Sequence, residues 1–134
     1  MRKIEHIGIA VKSLADSILL FEKLLNSQCY KTEVVESENV RTAFFKAGDS
    51  KIELLESTDK EGIIARYIEK KGEGLHHLAF DVEDIEKEMK RLEAEGFQLL
   101  QTKPRPGADN KLVCFLHPKN TNGVLIELCM ERKA

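Results

Sequence analysis

Two histidines and two glutamates stand at duplicated positions, and their types and spacing are those of a metal site. His6 opens the run His-Ile-Gly-Ile-Ala-Val, and His77 opens His-Leu-Ala-Phe-Asp-Val. Read at period two, each histidine shares one face with small or polar residues, and the other face is wholly apolar: Ile7, Ile9 and Val11, then Leu78, Phe80 and Val82. Farther on, Ile52-Glu53-Leu54 and Ile126-Glu127-Leu128 repeat one another. The histidines are 71 residues apart and the glutamates 74. Offsets this close mark an internal duplication. Carboxylates on buried strand faces are costly unless they are paired or bind a metal. Two imidazoles and two carboxylates would neutralise a divalent cation, and mixed nitrogen and oxygen ligation suits Mn, Fe, Co, Ni or Zn. In a six-coordinate shell, two positions would remain for a chelating substrate.

These four residues need strands to hold them, and the pattern around them supplies strands. In the first half a strand is expected near residues 4–11, then a helix. Ser13 is its N-cap, and Leu14, Ile18, Phe21 and Leu25 form its apolar stripe. Strands follow at 28–36, 40–47 and 51–56. A short amphipathic helix with Ile63, Ile64, Tyr67 and Ile68 lies within a linker at 60–71, ending at Gly72. The second half repeats the order: the His77 strand, a helix at 83–95 with Ile85, Met89 and Leu92 inward, and strands at 97–101, 111–117 and 124–130. In the last strand Val124, Ile126 and Leu128 are expected to face the core. The expected fold is α+β, one domain over 1–134 made of module 1 (about 1–58), the linker helix and module 2 (about 72–132).

Composition narrows the function. The chain has 134 residues, 42% of them hydrophobic and 33% charged, with a net charge of −2. That balance is expected of a soluble globular protein and gives no reason to expect nucleic acid or an anionic membrane as partner. No apolar run approaches the roughly 20 residues needed to span a bilayer. Cys29, Cys114 and Cys129 form no CxxC pair and read as thiols in a reducing, cytoplasmic setting. His76 must point away from His77. His117, in a His-Pro turn, is open to a structural role or a substrate contact.

At Gly72-Glu-Gly-Leu-His-His-Leu-Ala-Phe80, Phe115-Leu-His-Pro-Lys119 and Gly123-Val-Leu-Ile-Glu-Leu128 the sequence resembles the vicinal oxygen chelate superfamily, and within it the methylmalonyl-CoA epimerases. Lys51-Ile-Glu-Leu-Leu-Glu56 and Lys103-Pro-Arg-Pro-Gly107 add to the resemblance, which runs over nearly the whole chain. It implies paired βαβββ modules forming a cupped mixed sheet around one divalent metal (Co, Ni, Mn or Zn), with His6, Glu53, His77 and Glu127 as ligands. It implies an isomerase that removes the C2 proton of an acyl-CoA thioester through a metal-stabilised enolate, with Glu127 as the acid/base group, and a homodimer. Lys103, Arg105, Lys111, His117 and Lys119 are candidate substrate contacts, the cations toward coenzyme A phosphates. Two positions depart from the family. Some epimerases have Gln where Glu53 stands, and glyoxalase I enzymes have Glu there. Thr42 stands where some epimerases place a catalytic carboxylate. A glyoxalase I-type enzyme acting on a glutathione hemithioacetal is therefore the alternative, and a metal-free, antibiotic-sequestering binding protein a further one.

Overall fold

The computed structural model describes residues 1–132. Three α-helices and eight strands occur among them, an α+β chain as expected. Two βαβββ modules follow one another. The first is β1 (Lys3–Ala10), α1 (Leu14–Leu25), β2 (Lys31–Val35), β3 (Val40–Ala47) and β4 (Ser50–Ser57). After the linker helix α2 (Ile63–Lys71) come β5 (Gly74–Asp81), α3 (Ile85–Ala94), β6 (Arg105–Pro106), β7 (Lys111–Leu116) and β8 (Ile126–Glu131). The chain divides into two compact units, one of residues 6–76, the other of residues 1–5 together with the chain from His77 onward.

In the unit of residues 6–76, β3 pairs antiparallel with both β2 and β4, and β4 pairs parallel with β1. Helix α1 forms where the sequence places it. The Ser13 hydroxyl accepts from the Asp16 amide at 3.2 Å, and Asn26 ends the helix in the left-handed conformation. Its apolar stripe packs on Ala43, Phe45 and Leu54, all inaccessible to solvent, with Ile9 and Ile52 alongside. Burying a side chain such as Leu54 contributes about 1.5–3 kcal/mol.

In the other unit β8 pairs parallel with β5 and antiparallel with β7, and β6 extends the β7 edge. Asp84 caps α3 through its carboxylate, which accepts from the Lys87 amide at 3.1 Å. The helix lays Ile85, Met89 and Leu92 on Val82, Cys114, Leu116 and Leu128. Gly96 follows at φ +97°, a conformation that other residues rarely adopt.

Three expectations need correction. Residues 97–101 meet β7 without forming a full strand: Leu99 bridges Leu116, the Leu100 amide donates to the Phe115 carbonyl and the His117 amide to the Gln98 carbonyl, each at 2.8 Å, while the Gln98 amide donates to the Asn120 side chain. Farther along, the β7 edge is paired by Arg105–Pro106, inside a stretch read as loop. Val124 precedes β8 and is 45% exposed; the core positions are Leu128 and, partly, Ile126.

Candidate metal centre

The strand registers place one histidine and one glutamate together in each unit, in the same way. On β4, Glu53 lies beside Gly8 of β1, two residues past His6, and opposite Phe44 of β3. On β8, Glu127 lies beside Ala79 of β5, two residues past His77, and opposite Phe115 of β7. The small residue between each His and Glu leaves room for the two side chains to meet. His6 Nε2 is 3.3 Å from Glu53 Oε1, and His77 Nε2 is 3.2 Å from Glu127 Oε1. All four residues are more than 90% buried.

The donor atoms have the separation a shared cation requires. Two ligands bonded at about 2.1 Å lie roughly 3.0 Å apart at a right angle and roughly 3.4 Å apart at a tetrahedral angle. Both observed separations fall between these limits. They are long for a direct hydrogen bond, whose commonest length is about 2.9 Å. Buried imidazole and carboxylate are also the donor chemistry expected for a first-row divalent metal. Each pair therefore fits half of a mixed nitrogen and oxygen shell.

Phe44 and Phe115 carry no distinguishing mark in the sequence, although they too are 71 residues apart and each faces its glutamate. The Phe115 ring meets His77 edge-on at 5.9 Å and limits where the imidazole can turn. Only the register reveals this, since a lone Phe in an apolar strand carries no signal of its own.

The proposed substrate contacts scatter. The Arg105 guanidinium lies 5.9 Å over the Phe115 ring, one aromatic layer from His77. Lys111 is buried, its ammonium 4.0 Å from both Glu5 and Glu131. That ammonium is already engaged by two carboxylates. Lys103 and Lys119 are exposed. His117 serves its own turn, because its Nδ1 accepts from the Lys119 amide at 3.1 Å and caps a 3-10 turn at Pro118–Asn120. His76 meets Tyr67 edge-on at 4.9 Å, away from any ligand role. Burial pushes the Cys114 and Cys129 thiols up, with the Glu127 and Glu5 carboxylates adding to the shift at Cys129. Neither thiol is a nucleophile at neutral pH.

Duplicated modules with a His–Glu pair in each define a class, and comparison with known families agrees. Residues 5–115 match the Glyoxalase/Bleomycin resistance protein/Dioxygenase superfamily, and the chain belongs to it. Within that superfamily its relatives include several epimerases. It is 34% identical to the ethylmalonyl-CoA/methylmalonyl-CoA epimerase of Cereibacter sphaeroides, over 94% of this chain and 96% of that one. A variant of Streptomyces coelicolor methylmalonyl-CoA epimerase, solved in complex with 2-nitronate-propionyl-CoA, superposes with a TM-score of 0.95 at 32% identity, covering 99% of both chains. The uncharacterised protein YqjC of Bacillus subtilis is 40% identical, over 96% of this chain and 92% of that one. Among the described residues no helix is long and apolar enough to cross a membrane.

Proposed function

We propose that the chain is a metal-dependent methylmalonyl-CoA epimerase. The observation that carries this reading is the His–Glu pair repeated at one strand register in both units, in a chain whose relatives include methylmalonyl-CoA epimerases. His6, Glu53, His77 and Glu127 would be the residues to hold one divalent cation. When bound, the cation stabilises the negative charge that gathers on the thioester oxygen as C2 loses its proton.

The residues of the chain supply the rest. Glu127 takes the C2 proton as the C–H bond breaks, its carboxylate turned toward the strand face by the register with Ala79 and Phe115. Phe115 and His77 wall that face and exclude water from the reacting carbon. Arg105 presents a planar cation one ring away, suited to the anionic end of an acyl-CoA. Protonation of C2 from the opposite face, by a proton exchanged with solvent, inverts the centre.

The test is exchange in D2O. Protein loaded with Co2+ should place deuterium at C2 of methylmalonyl-CoA as it racemises, and EDTA should stop both events together. Succinyl-CoA should not exchange, because its carboxylate lies one carbon farther from the thioester. Loss of a glutathione hemithioacetal with no labelling of methylmalonyl-CoA would replace this reading with a glyoxalase one. No exchange by metal-loaded protein would end it.

A further inference from the structure

Among the described residues, one buried hydroxyl on the Glu53 face has no partner. Thr42 is completely inaccessible to solvent, and its Oγ1 meets no hydrogen-bonding group of the chain. A buried hydroxyl left unpaired is destabilising and calls for a reason. Its placement supplies one. In antiparallel pairs, residues directly opposite share a face. Thr42 lies opposite Leu55 of β4 on one side and Glu33 of β2 on the other, with Phe44 and then Glu53 next on that face. A diagonal pair such as Thr42 and Glu53 stands about 7–8 Å apart. The Glu33 carboxylate, the nearest acidic group by register, is 3.6 Å from the Lys31 ammonium.

The duplication shows that the fold itself does not need this hydroxyl. Thr42 and Val113 are 71 residues apart, as His6 and His77 are, and as Phe44 and Phe115 are. Val113 occupies the same place on β7, two residues before the Phe that faces the glutamate, and is buried in an apolar cluster with Ala79 and Cys129. Valine has the shape of threonine without the hydroxyl. One half of the duplication is therefore apolar at this position, and the half that carries Glu53 has a hydrogen-bond donor.

We propose that Thr42 is a substrate-anchoring residue whose hydroxyl donates to the carboxylate of the malonyl thioester bound at the Glu53 face. This rests on the epimerase reading and deepens it. A neutral donor suits the place, because a carboxylate readily accepts a hydrogen bond from it. The hydroxyl keeps its proton at neutral pH, so Thr42 binds and orients and takes no part in removing the C2 proton. Its neighbours close over it, so binding requires them to move aside.

Calorimetry on Thr42→Val and Thr42→Ser tests this, with methylmalonyl-CoA and with propionyl-CoA, which lacks the carboxylate. Thr42→Val should weaken methylmalonyl-CoA binding about tenfold or more, the size expected for a hydrogen bond to a charged acceptor. KM should rise with it and kcat stay within about threefold. Propionyl-CoA binding should not change, and Thr42→Ser should restore most of the loss. The valine variant should melt at or above the wild-type temperature, since an unpaired buried hydroxyl is gone. Unchanged methylmalonyl-CoA binding by that variant would overturn the proposal and leave the hydroxyl to a buried water. Equal weakening of both ligands would overturn it too, by moving the effect to packing. In either case wild-type racemisation still decides the epimerase reading separately. Wild-type protein that neither binds nor racemises methylmalonyl-CoA brings both down.

Discussion

If the two His–Glu pairs share one cation, the metal must stabilise the whole fold, and damage to either pair must remove that stabilisation. A ligand that binds only the folded chain contributes about 2.7 kcal/mol when present at a hundred times its Kd. At roughly 2.1 cal/mol/K of unfolding entropy per residue, a chain of 134 residues has about 0.28 kcal/mol/K, so the melting temperature should rise by about 10 °C. Each tenfold loss of affinity removes about 1.4 kcal/mol, or about 5 °C of that rise. Glu53→Gln keeps an oxygen donor near His6 but removes a negative charge, and should lose at least half of the shift. His77→Ala, in the other pair, should abolish it. The assay is differential scanning calorimetry with Co2+ or Ni2+ against EDTA-treated protein, combined with metal analysis showing one ion per chain. Two ions per chain, or a shift untouched when one pair is disabled, would refute a shared site even if metal binds. No shift with any first-row metal would refute the ligand assignment altogether.

Glu127→Gln should bind metal more weakly and, at saturating metal, fail to exchange the C2 hydrogen; mild and equal losses from Glu53→Gln and Glu127→Gln would remove Glu127 from the proton-transfer role. Because Thr42 cannot act as a base, deuterium should enter one enantiomer of methylmalonyl-CoA faster than racemisation proceeds, and equal rates by NMR would reveal a second acid/base group. Leu128→Ala empties an inaccessible core position under α3 and should cost about 3 kcal/mol, lowering the melting temperature by about 10 °C. Burial holds the Cys114 and Cys129 thiols protonated, so at pH 8 a disulfide reagent should titrate Cys29 alone in folded protein, and all three cysteines in guanidinium.

The duplication is legible in the sequence because strand alternation and helix stripes leave strong, repeated signals. Ser13 marks a helix start by the same local chemistry that reads out in the structure, whereas the helix expected from 83 begins at Ile85, with Asp84 as a cap the pattern does not single out. His6, Glu53, His77 and Glu127 are visible as a repeated pair of chemically active types. Phe44 and Phe115 are not, because their meaning lies in which residue they face across a ladder, and register is a tertiary property. Residues 97–101 alternate like a strand and do reach β7 through Leu99 and Leu100, but the Gln98 amide turns to the Asn120 side chain and the pairing stops at one bridge, which no local pattern predicts. Pro104 and Pro106 signal a loop, yet Arg105 still pairs with Val113, since an edge strand tolerates missing amides. Lys111 and Thr42 show a different limit. Charge and hydroxyl are visible in a sequence, whereas burial and the absence of a partner are not.

The division of the chain bears on how it is made. Residues 1–5 belong to the unit that begins again at His77, and the Arg2 amide and guanidinium both bond to Asp81, each at 2.8 Å. On a ribosome adding about 5–20 residues per second, Asp81 follows Arg2 by roughly 4–16 seconds. During that interval residues 6–76 can assemble around their own partners, while Arg2 has yet to meet Asp81. Newly made chains therefore carry the start of β1 without its tie to β5, open to the wrong neighbour until the second half emerges. Slow translation between His76 and Asp81 should lengthen this exposure and increase aggregation, without altering the finished protein.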